Sequence, residues 1–93
     1  GSAIQVLRDW YKSSGDARDS LQALTKTAAR VLKQDEKKDT KGHVVGPRVE
    51  LVFSGANSGR KQVVIAWTDG SSLIRMSSTS LPLLLDFESQ AYP

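Results

Sequence analysis

The sequence predicts an α+β fold in which two N-terminal helices precede a three-stranded antiparallel meander and a short C-terminal helix. Three observations support this α-α-β-β-β-α order. Apolar residues recur at helical spacing as far as residue 32. After Pro47 the apolar period changes to two, as in a half-buried strand. The segment TDGS, residues 68–71, then marks a tight hairpin turn, because Asp-Gly tolerates the positive φ that such turns require.

The N-terminal third is predicted to form two helices. Ile4, Leu7 and Tyr11 lie at i, i+3 and i+7, a spacing typical of a short amphipathic helix. The polar run at 13–15 would end this helix, and Asp16 would cap the next one. A single kinked helix is the alternative. The apolar stripe of the second helix consists of Leu21, Leu24, Ala28, Val31 and Leu32.

A charged segment separates these helices from the strands. Residues 33–42 contain no apolar side chain and carry charges of both signs, which indicates a frayed helix end and a mobile loop. We therefore expect a single small domain over residues 3–93, with a flexible charged loop at 34–46. Gly1 and Ser2 look like a scar from an expression tag.

Three strands and a helix follow the loop. The first strand is broken by SGANSG, residues 54–59, and the second reaches the turn at Asp69-Gly70. The third covers residues 73–76, and the Trp67 side of the ribbon is expected to rest on helices. The run SSTS offers several N-caps, and Pro82 suits the first turn of a short apolar helix.

Composition excludes several classes of function. The 93 residues include no cysteine and one histidine, His43, so disulfides and clustered Cys/His metal sites are excluded. No metal or cofactor is expected. A Ser-His-Asp hydrolase site would depend on this one histidine in a glycine-flanked loop, so we do not expect an enzyme. The lack of cysteine and of a signal peptide is compatible with the cytosol or the nucleus. We expect an intracellular location, the cytoplasm rather than the nucleus.

The C-terminal third resembles part of a PX domain. Trp67, Thr68, Asp69, Gly70 and Ser71 match the hairpin of that family, and Tyr92-Pro93 matches the end of the helix that follows. The resemblance covers Val63 to Pro93. It implies a strand, a hairpin, a second strand and a helix closed by an aromatic residue and proline.

This segment departs from the lipid-binding members of the family. Those members carry an Arg-Arg-Tyr/Phe patch just after the third strand, where this chain has RMSSTS. Arg75 is a possible remnant, but the following serines and threonine cannot hold two phosphates. Phosphoinositide membranes are therefore not an expected partner. Similar Ser-rich segments in some regulators of cytoplasmic RNA look like scaffolding pieces, which implies a scaffold with a role in post-transcriptional regulation.

The preferred hypothesis is a non-enzymatic protein-interaction module of a larger intracellular protein. The segment IQVLRDWY contains more apolar residues than one narrow helical stripe requires, and Trp and Tyr are common interface anchors. The module would bind a protein partner or itself. The predicted contact residues are Ile4, Leu7, Trp10, Tyr11, Leu84 and Phe87.

The alternative hypothesis is an RNA-binding or phosphate-binding domain. The α-β-β-β-α order is similar to double-stranded RNA-binding domains and to the Alu-binding subunits of the signal recognition particle. The net charge of +3 permits phosphate contacts. However, the last helix lacks the lysine cluster of the first family, and acids at 35, 36 and 39 offset the nearby lysines. The candidate residues are Lys37, Lys38, Lys41, Arg60, Lys61 and Arg75.

Overall fold

The chain folds as one five-stranded antiparallel sheet with two helices. The structure is a computed structural model that describes residues 3–54 and 61–93. The strand order across the sheet is β1-β5-β4-β3-β2. Neither helix in the described part is long and apolar enough to cross a membrane. The elements in chain order are β1 (Gln5–Trp10), α1 (Ser14–Thr27), β2 (Arg30–Lys38), β3 (Val44–Ser54), β4 (Lys61–Asp69), β5 (Ser72–Ser78) and α2 (Leu81–Ala91).

The predicted first helix is wrong, because Gln5–Trp10 forms strand β1 and pairs with β5. The apolar residues of this segment fit a strand as well as a helix. Ile4, Val6 and Trp10 alternate on one side, and β-branched and aromatic residues favour strands. A segment this short cannot be assigned from periodicity alone. Pairing with β5 therefore decided its conformation.

Helix α1 begins where the sequence was expected to break a helix. Ser13 is its N-cap, and the Ser13 hydroxyl accepts a hydrogen bond from the N–H of Asp16 at 3.1 Å. Asp16 lies in the first turn, where its charge complements the helix dipole. The helix ends at Thr27, earlier than the predicted apolar stripe, because Val31 and Leu32 belong to the next strand.

The predicted charged loop at 34–46 is also wrong. It contains the end of β2, a tight turn and the start of β3. The Asp39 carboxylate closes the turn by accepting hydrogen bonds from the N–H groups of Lys41 and His43, both at 2.9 Å. Gly42 supplies the positive φ, 83°, that the turn needs. Pairing with β3 holds this charged segment in a strand despite its low strand propensity.

The three strands predicted as a meander are the central strands of the larger sheet. Helix α1 packs on one face, which we call the α1 face, and α2 packs on the other, the α2 face. The core on the α1 face contains Leu21, Val49, Leu51, Val64, Ala66 and Leu73. The core on the α2 face contains Val63, Ile65, Trp67, Ile74, Met76 and Leu84.

Local signals correctly located the elements around the second hairpin. Gly70 adopts a φ of 59° between β4 and β5, as the Asp-Gly turn requires. The Ser80 hydroxyl caps α2 by accepting from the N–H of Leu83, and Pro82 lies in the first turn. The segment that resembles a PX domain thus spans most of β4, β5 and α2. The segment SGANSG, predicted to break a strand, lies at 54–59 and so falls almost entirely outside the described residues.

Candidate functional site

Strand β1 is an outer strand of the sheet. It pairs with β5 from Gln5 to Trp10, and the register contains no shift. Within the described residues, no strand pairs with its other side. An unpaired edge carries backbone donors and acceptors in the arrangement that another extended chain needs. β1 therefore offers an open edge to a partner strand.

Alternate residues of β1 direct their backbone groups toward this open edge. The N–H of Tyr11, just beyond β1, donates to the carbonyl oxygen of Ser71 at 2.8 Å. In an antiparallel pair the direction of the backbone groups alternates along the strand. Odd-numbered residues of β1 therefore bond to β5. Val6, Arg8 and Trp10 direct their N–H and C=O groups outward.

Large apolar side chains stand on both faces of this edge. Val6 is 37% exposed, Leu7 42% and Trp10 70%. The register with β5 places Val6 and Trp10 on the α2 face and Leu7 on the α1 face. The Arg8 guanidinium lies 5.3 Å from the centroid of the Trp10 ring, a cation–π contact that helps to orient the indole. A strand added at this edge would cover part of each of these side chains.

The opposite edge of the sheet, strand β2, has a different character. Val31 and Leu32 are exposed near its start, and the exposed side chains along the rest of the strand include Lys33, Glu36 and Lys38. Its pairing with β3 shifts register twice, between residues 31 and 33 and between 37 and 38. Charged side chains and bulges are two devices that keep edge strands from pairing with other chains. Of the two edges, β1 is the one suited to accept a strand.

The predicted contact residues near the N-terminus are divided between the edge and the core. Leu7 and Trp10 are exposed on β1. Ile4 is partly buried against the core on the α2 face, and Tyr11 against the core on the α1 face. Val6 and Arg8, which complete the open edge, were not among the predicted contact residues. The alternation of Ile4, Val6 and Trp10 was the available signal.

The predicted contact residues in α2 belong to the interior. Leu84 is fully buried, and Phe87 packs against the core on the α2 face. The Phe87 ring makes an edge contact with Tyr92 at a centroid distance of 6.5 Å. Tyr92 in turn meets Trp67 at 5.1 Å. Helix α2 therefore presents these side chains to its own sheet and not to a partner.

Two of the predicted anion-binding residues are already paired within the protein. The Lys37 ammonium donates to Glu88 at 3.0 Å and to the carbonyl oxygen of Tyr92. The Arg75 guanidinium forms an ion pair with Asp9 at 3.0 Å. A phosphate ligand would have to compete with these carboxylates. Neither side chain is therefore an uncompensated cation.

The remaining basic candidates do not form one patch. Lys41 is exposed in the turn after β2, and Lys38 pairs with the first residue of β3. Lys61 pairs with the last residue of β3. An eleven-residue strand separates these ends by roughly 33 Å at the usual rise per residue. Arg60 lies outside the described residues.

His43 is placed with Asp39 in the exposed turn between β2 and β3. Its Nδ1 lies 3.5 Å from the Asp39 carboxylate, and 76% of its side chain is exposed. The same carboxylate holds the backbone of the turn. Among the described residues, no group of three or more His, Asp or Glu side chains is arranged to hold a metal ion. The pair is a contact within a solvated turn.

A buried ion cluster that the sequence did not reveal attaches α2 to the sheet. We call it the Arg48 cluster; it comprises Arg48, Asp35, Glu50, Glu88 and Lys37. The Arg48 guanidinium donates to Glu88 at 2.7 and 2.9 Å, to Glu50 at 2.7 Å and to Asp35 at 3.1 Å. Lys37 also lies 4.9 Å from the centroid of the ring of Trp67. The cluster ties strands β2 and β3 to helix α2.

The environment of this cluster favours the charged forms. Burial lowers the pKa of Arg48, but hydrogen bonds to Glu88 and Glu50 outweigh it and raise the pKa above its ordinary value. Burial raises the pKa of Glu88, but hydrogen bonds from Arg48 and Lys37 bring it below the ordinary glutamate value. Both groups are therefore ionised at neutral pH. They serve the fold, because their polar atoms face one another.

Two grooves adjoin β1 on the α1 face. One, of about 240 Å³, is lined by Leu7, Leu24 and Phe53. The other, of about 360 Å³, is lined by Asp9 and Tyr11 and by residues of α1. Arg75 borders both. These grooves lie between β1 and α1, beside the side chains that β1 presents on the α1 face.

Comparison of the chain with models of protein families, with curated proteins and with solved structures found no match in any of the three. The geometry of its own residues is therefore the basis for assigning a function.

Proposed function

We propose that this chain is a non-enzymatic protein-interaction module that binds an extended segment of a protein along the open edge of β1. The observation that carries this proposal is the contrast between the two edges of the sheet. β1 is unpaired on one side within the described chain, its register contains no shift, and two of its six residues are charged, whereas β2 has two register shifts and six charged residues among nine. Backbone hydrogen bonds would give affinity, and the side chains of β1 would give specificity.

The side chains of β1 favour a protein segment over a nucleic acid. Removing the exposed side chains of Leu7 and Trp10 from water is favourable in free energy. A bound protein strand would supply side chains to cover them on both faces of the sheet. The alternative, phosphate binding, has less support because Lys37 and Arg75 are paired and the other described cations are dispersed. We place the module inside the cell, which the absence of cysteine from the sequence supports.

Photo-crosslinking in cells tests this proposal with a matched pair of positions. Leu7 on β1 and Leu32 on β2 are equally exposed, at 42% and 39%, and lie on opposite edges. A photoreactive residue at position 7 is expected to form adducts with protein, and one at position 32 is not. Equal adducts from both positions, or adducts with nucleic acid, would contradict the proposal.

A backbone variant shows whether such adducts depend on strand addition. Arg8→Pro removes an outward N–H while sparing the hydrogen bonds to β5, and proline is tolerated at such edge positions. We expect it to abolish the adducts from position 7. Arg8→Ala, the control, loses the same side chain but keeps the N–H, and is expected to form more of these adducts than Arg8→Pro. Adducts that survive Arg8→Pro would show that the edge backbone is not involved.

A further inference from the structure

We infer that the strand bound on β1 is β1 of a second copy of this chain, paired antiparallel and centred on Leu7. This inference rests on the proposed function, because it uses the same open edge. The product is a symmetric dimer in which two five-stranded sheets join into one of ten strands. Closed two-fold dimers are the commonest assemblies of identical chains.

Symmetry restricts how two copies of β1 can pair. Two identical edges run antiparallel when the two-fold axis is perpendicular to the sheet. Such an axis places the α1 faces of both copies on the same side of the joined sheet. Directly opposed residues lie on the same face, so both of them carry even numbers or both carry odd numbers. The outward residues Val6, Arg8 and Trp10 must then bond to outward residues of the second copy.

Charge decides among the registers that remain. A register centred on Arg8 opposes the two Arg8 side chains, and one centred on Asp9 opposes the two Asp9 side chains. Like charges directly opposite one another across a strand pair are destabilising. A register centred on Val6 opposes Leu7 to Gln5 and Asp9 to Ala3, so neither the leucine nor the carboxylate meets a complementary side chain. A register centred on Leu7 opposes two leucines and avoids each of these faults.

The register centred on Leu7 pairs residues of complementary character. On the α2 face, Ile4 opposes Trp10 of the second copy, and Val6 opposes the aliphatic part of Arg8. On the α1 face, the Gln5 amide opposes the Asp9 carboxylate, outside the two central leucines. The three exposed apolar side chains of β1 thus all acquire a partner.

The arrangement of the helices leaves room for this dimer. Helix α1 packs over β3, β4 and β5, and α2 packs over β4 and β5. Neither helix is centred over β1. The second sheet can therefore approach the edge without displacing a helix of either copy.

Analytical ultracentrifugation of the full chain over a range of concentrations tests the dimer. We expect a monomer–dimer equilibrium whose dissociation constant rises at least about tenfold in Leu7→Lys, because this substitution places two like charges on the axis. The matched control, Leu32→Lys on β2, is expected to leave the equilibrium unchanged. A dimer that is insensitive to Leu7→Lys would overturn the inference.

Single-cysteine variants test the register, since the natural chain contains no cysteine. Leu7→Cys places the two thiols at a directly opposed pair that is not hydrogen-bonded, where the Cα atoms are about 4.5 Å apart. Mild oxidation is expected to link this variant faster than Val6→Cys, Arg8→Cys or Asp9→Cys, whose symmetry mates are offset along the strands. Fastest linkage at one of those three positions would refute the register centred on Leu7.

Failure of the dimer and failure of the proposed function give different results. A chain that remains monomeric at every concentration, yet still forms adducts with another protein that Arg8→Pro abolishes, refutes the second copy as the partner and leaves the edge as a binding site. Monomeric behaviour without such adducts refutes both.

Discussion

At the scale of single residues, Arg48 has the most demanding environment in the described chain. Its side chain is 7% exposed and meets three carboxylates, two of which are almost as buried. Exchanging both partners of such a buried ion pair for apolar groups changes the stability of the fold little. Removing one partner is costly because buried charge is left uncompensated.

Arg48→Met is therefore expected to destabilise the fold by about 3–5 kcal/mol. The substitution leaves Glu50 and Glu88 buried without their main donor. Arg75→Met is the control, because the ion pair of Arg75 with Asp9 is more exposed and such pairs contribute about 0–1 kcal/mol. Urea denaturation monitored by tryptophan fluorescence measures both. Equal losses in the two variants would contradict this account of the Arg48 cluster.

The lowered pKa of Glu88 predicts that the fold loses stability in acid. Because its pKa is lower in the folded state, its contribution is fully present above the ordinary glutamate value of about 4.3 and is lost as the pH falls through the folded pKa. Asp35 and Glu50 also form ion pairs with Arg48. Glu88→Gln should be less stable than the natural chain at neutral pH and should lose less on acidification.

Urea midpoints at neutral pH and at about pH 3, below the ordinary carboxyl values, measure this difference. Glu36→Gln, an exposed carboxylate on β2, is the control and should keep the natural dependence on pH. If Glu88→Gln loses as much stability in acid as the natural chain, other groups govern the acid response.

At the scale of elements, the start of α1 depends on a single hydroxyl. The Ser13 side chain satisfies one of the N–H groups that the first helical turn leaves without a partner. The neighbouring Ser14 is the first helical residue. Two adjacent serines thus have different roles, because one lies outside the helix and the other within it.

Ser13→Ala is expected to cost about 1 kcal/mol of stability through loss of this cap. Ser14→Ala should change stability by less than about 0.5 kcal/mol, because alanine is a better helix former and the site is exposed. Thermal unfolding followed by circular dichroism compares them. A larger loss at Ser14 would mean that the helix begins later than residue 14.

The two edge strands occupy equivalent places in the sheet but differ in how regularly they pair. β1 and β2 both lie at the margin of the sheet, and both were predicted not to be strands. β2 is protected by its many charged residues and by two register shifts, whereas β1 pairs without a shift and carries fewer charges. The proposed binding site follows from that difference. Crosslinking and lysine substitutions at Leu7 and Leu32 compare the two edges directly.

At the scale of the whole molecule, two helices cover the central strands on opposite faces and leave the outer strands less protected. Strand β2 is fastened by the Arg48 cluster, which reaches across to α2. Strand β1 is fastened through its pairing with β5 and through Arg75 and Asp9. A second copy on β1 would complete the sheet at its least protected margin.

The sequence by itself determined the features that local chemistry controls. The Asp69-Gly70 turn and the alternation after Pro47 each depend on residues within a few positions. The run SSTS indicated that a cap lies before α2, and the structure shows that Ser80 is that cap. The identity of Leu7 and Trp10 as contact candidates was also visible. Their placement on a strand was not, because a short apolar segment suits either period.

Tertiary structure alone decided the identity of β1 and β2 and the burial of the Arg48 cluster. Gln5–Trp10 and Arg30–Lys38 became strands because β5 and β3 offered them hydrogen bonds, and local propensity was too weak to oppose this. Arg48 and Glu50 look like the solvated face of a strand until α2 brings Glu88 against them. Such pairings join residues far apart in the chain, so no local pattern specifies them.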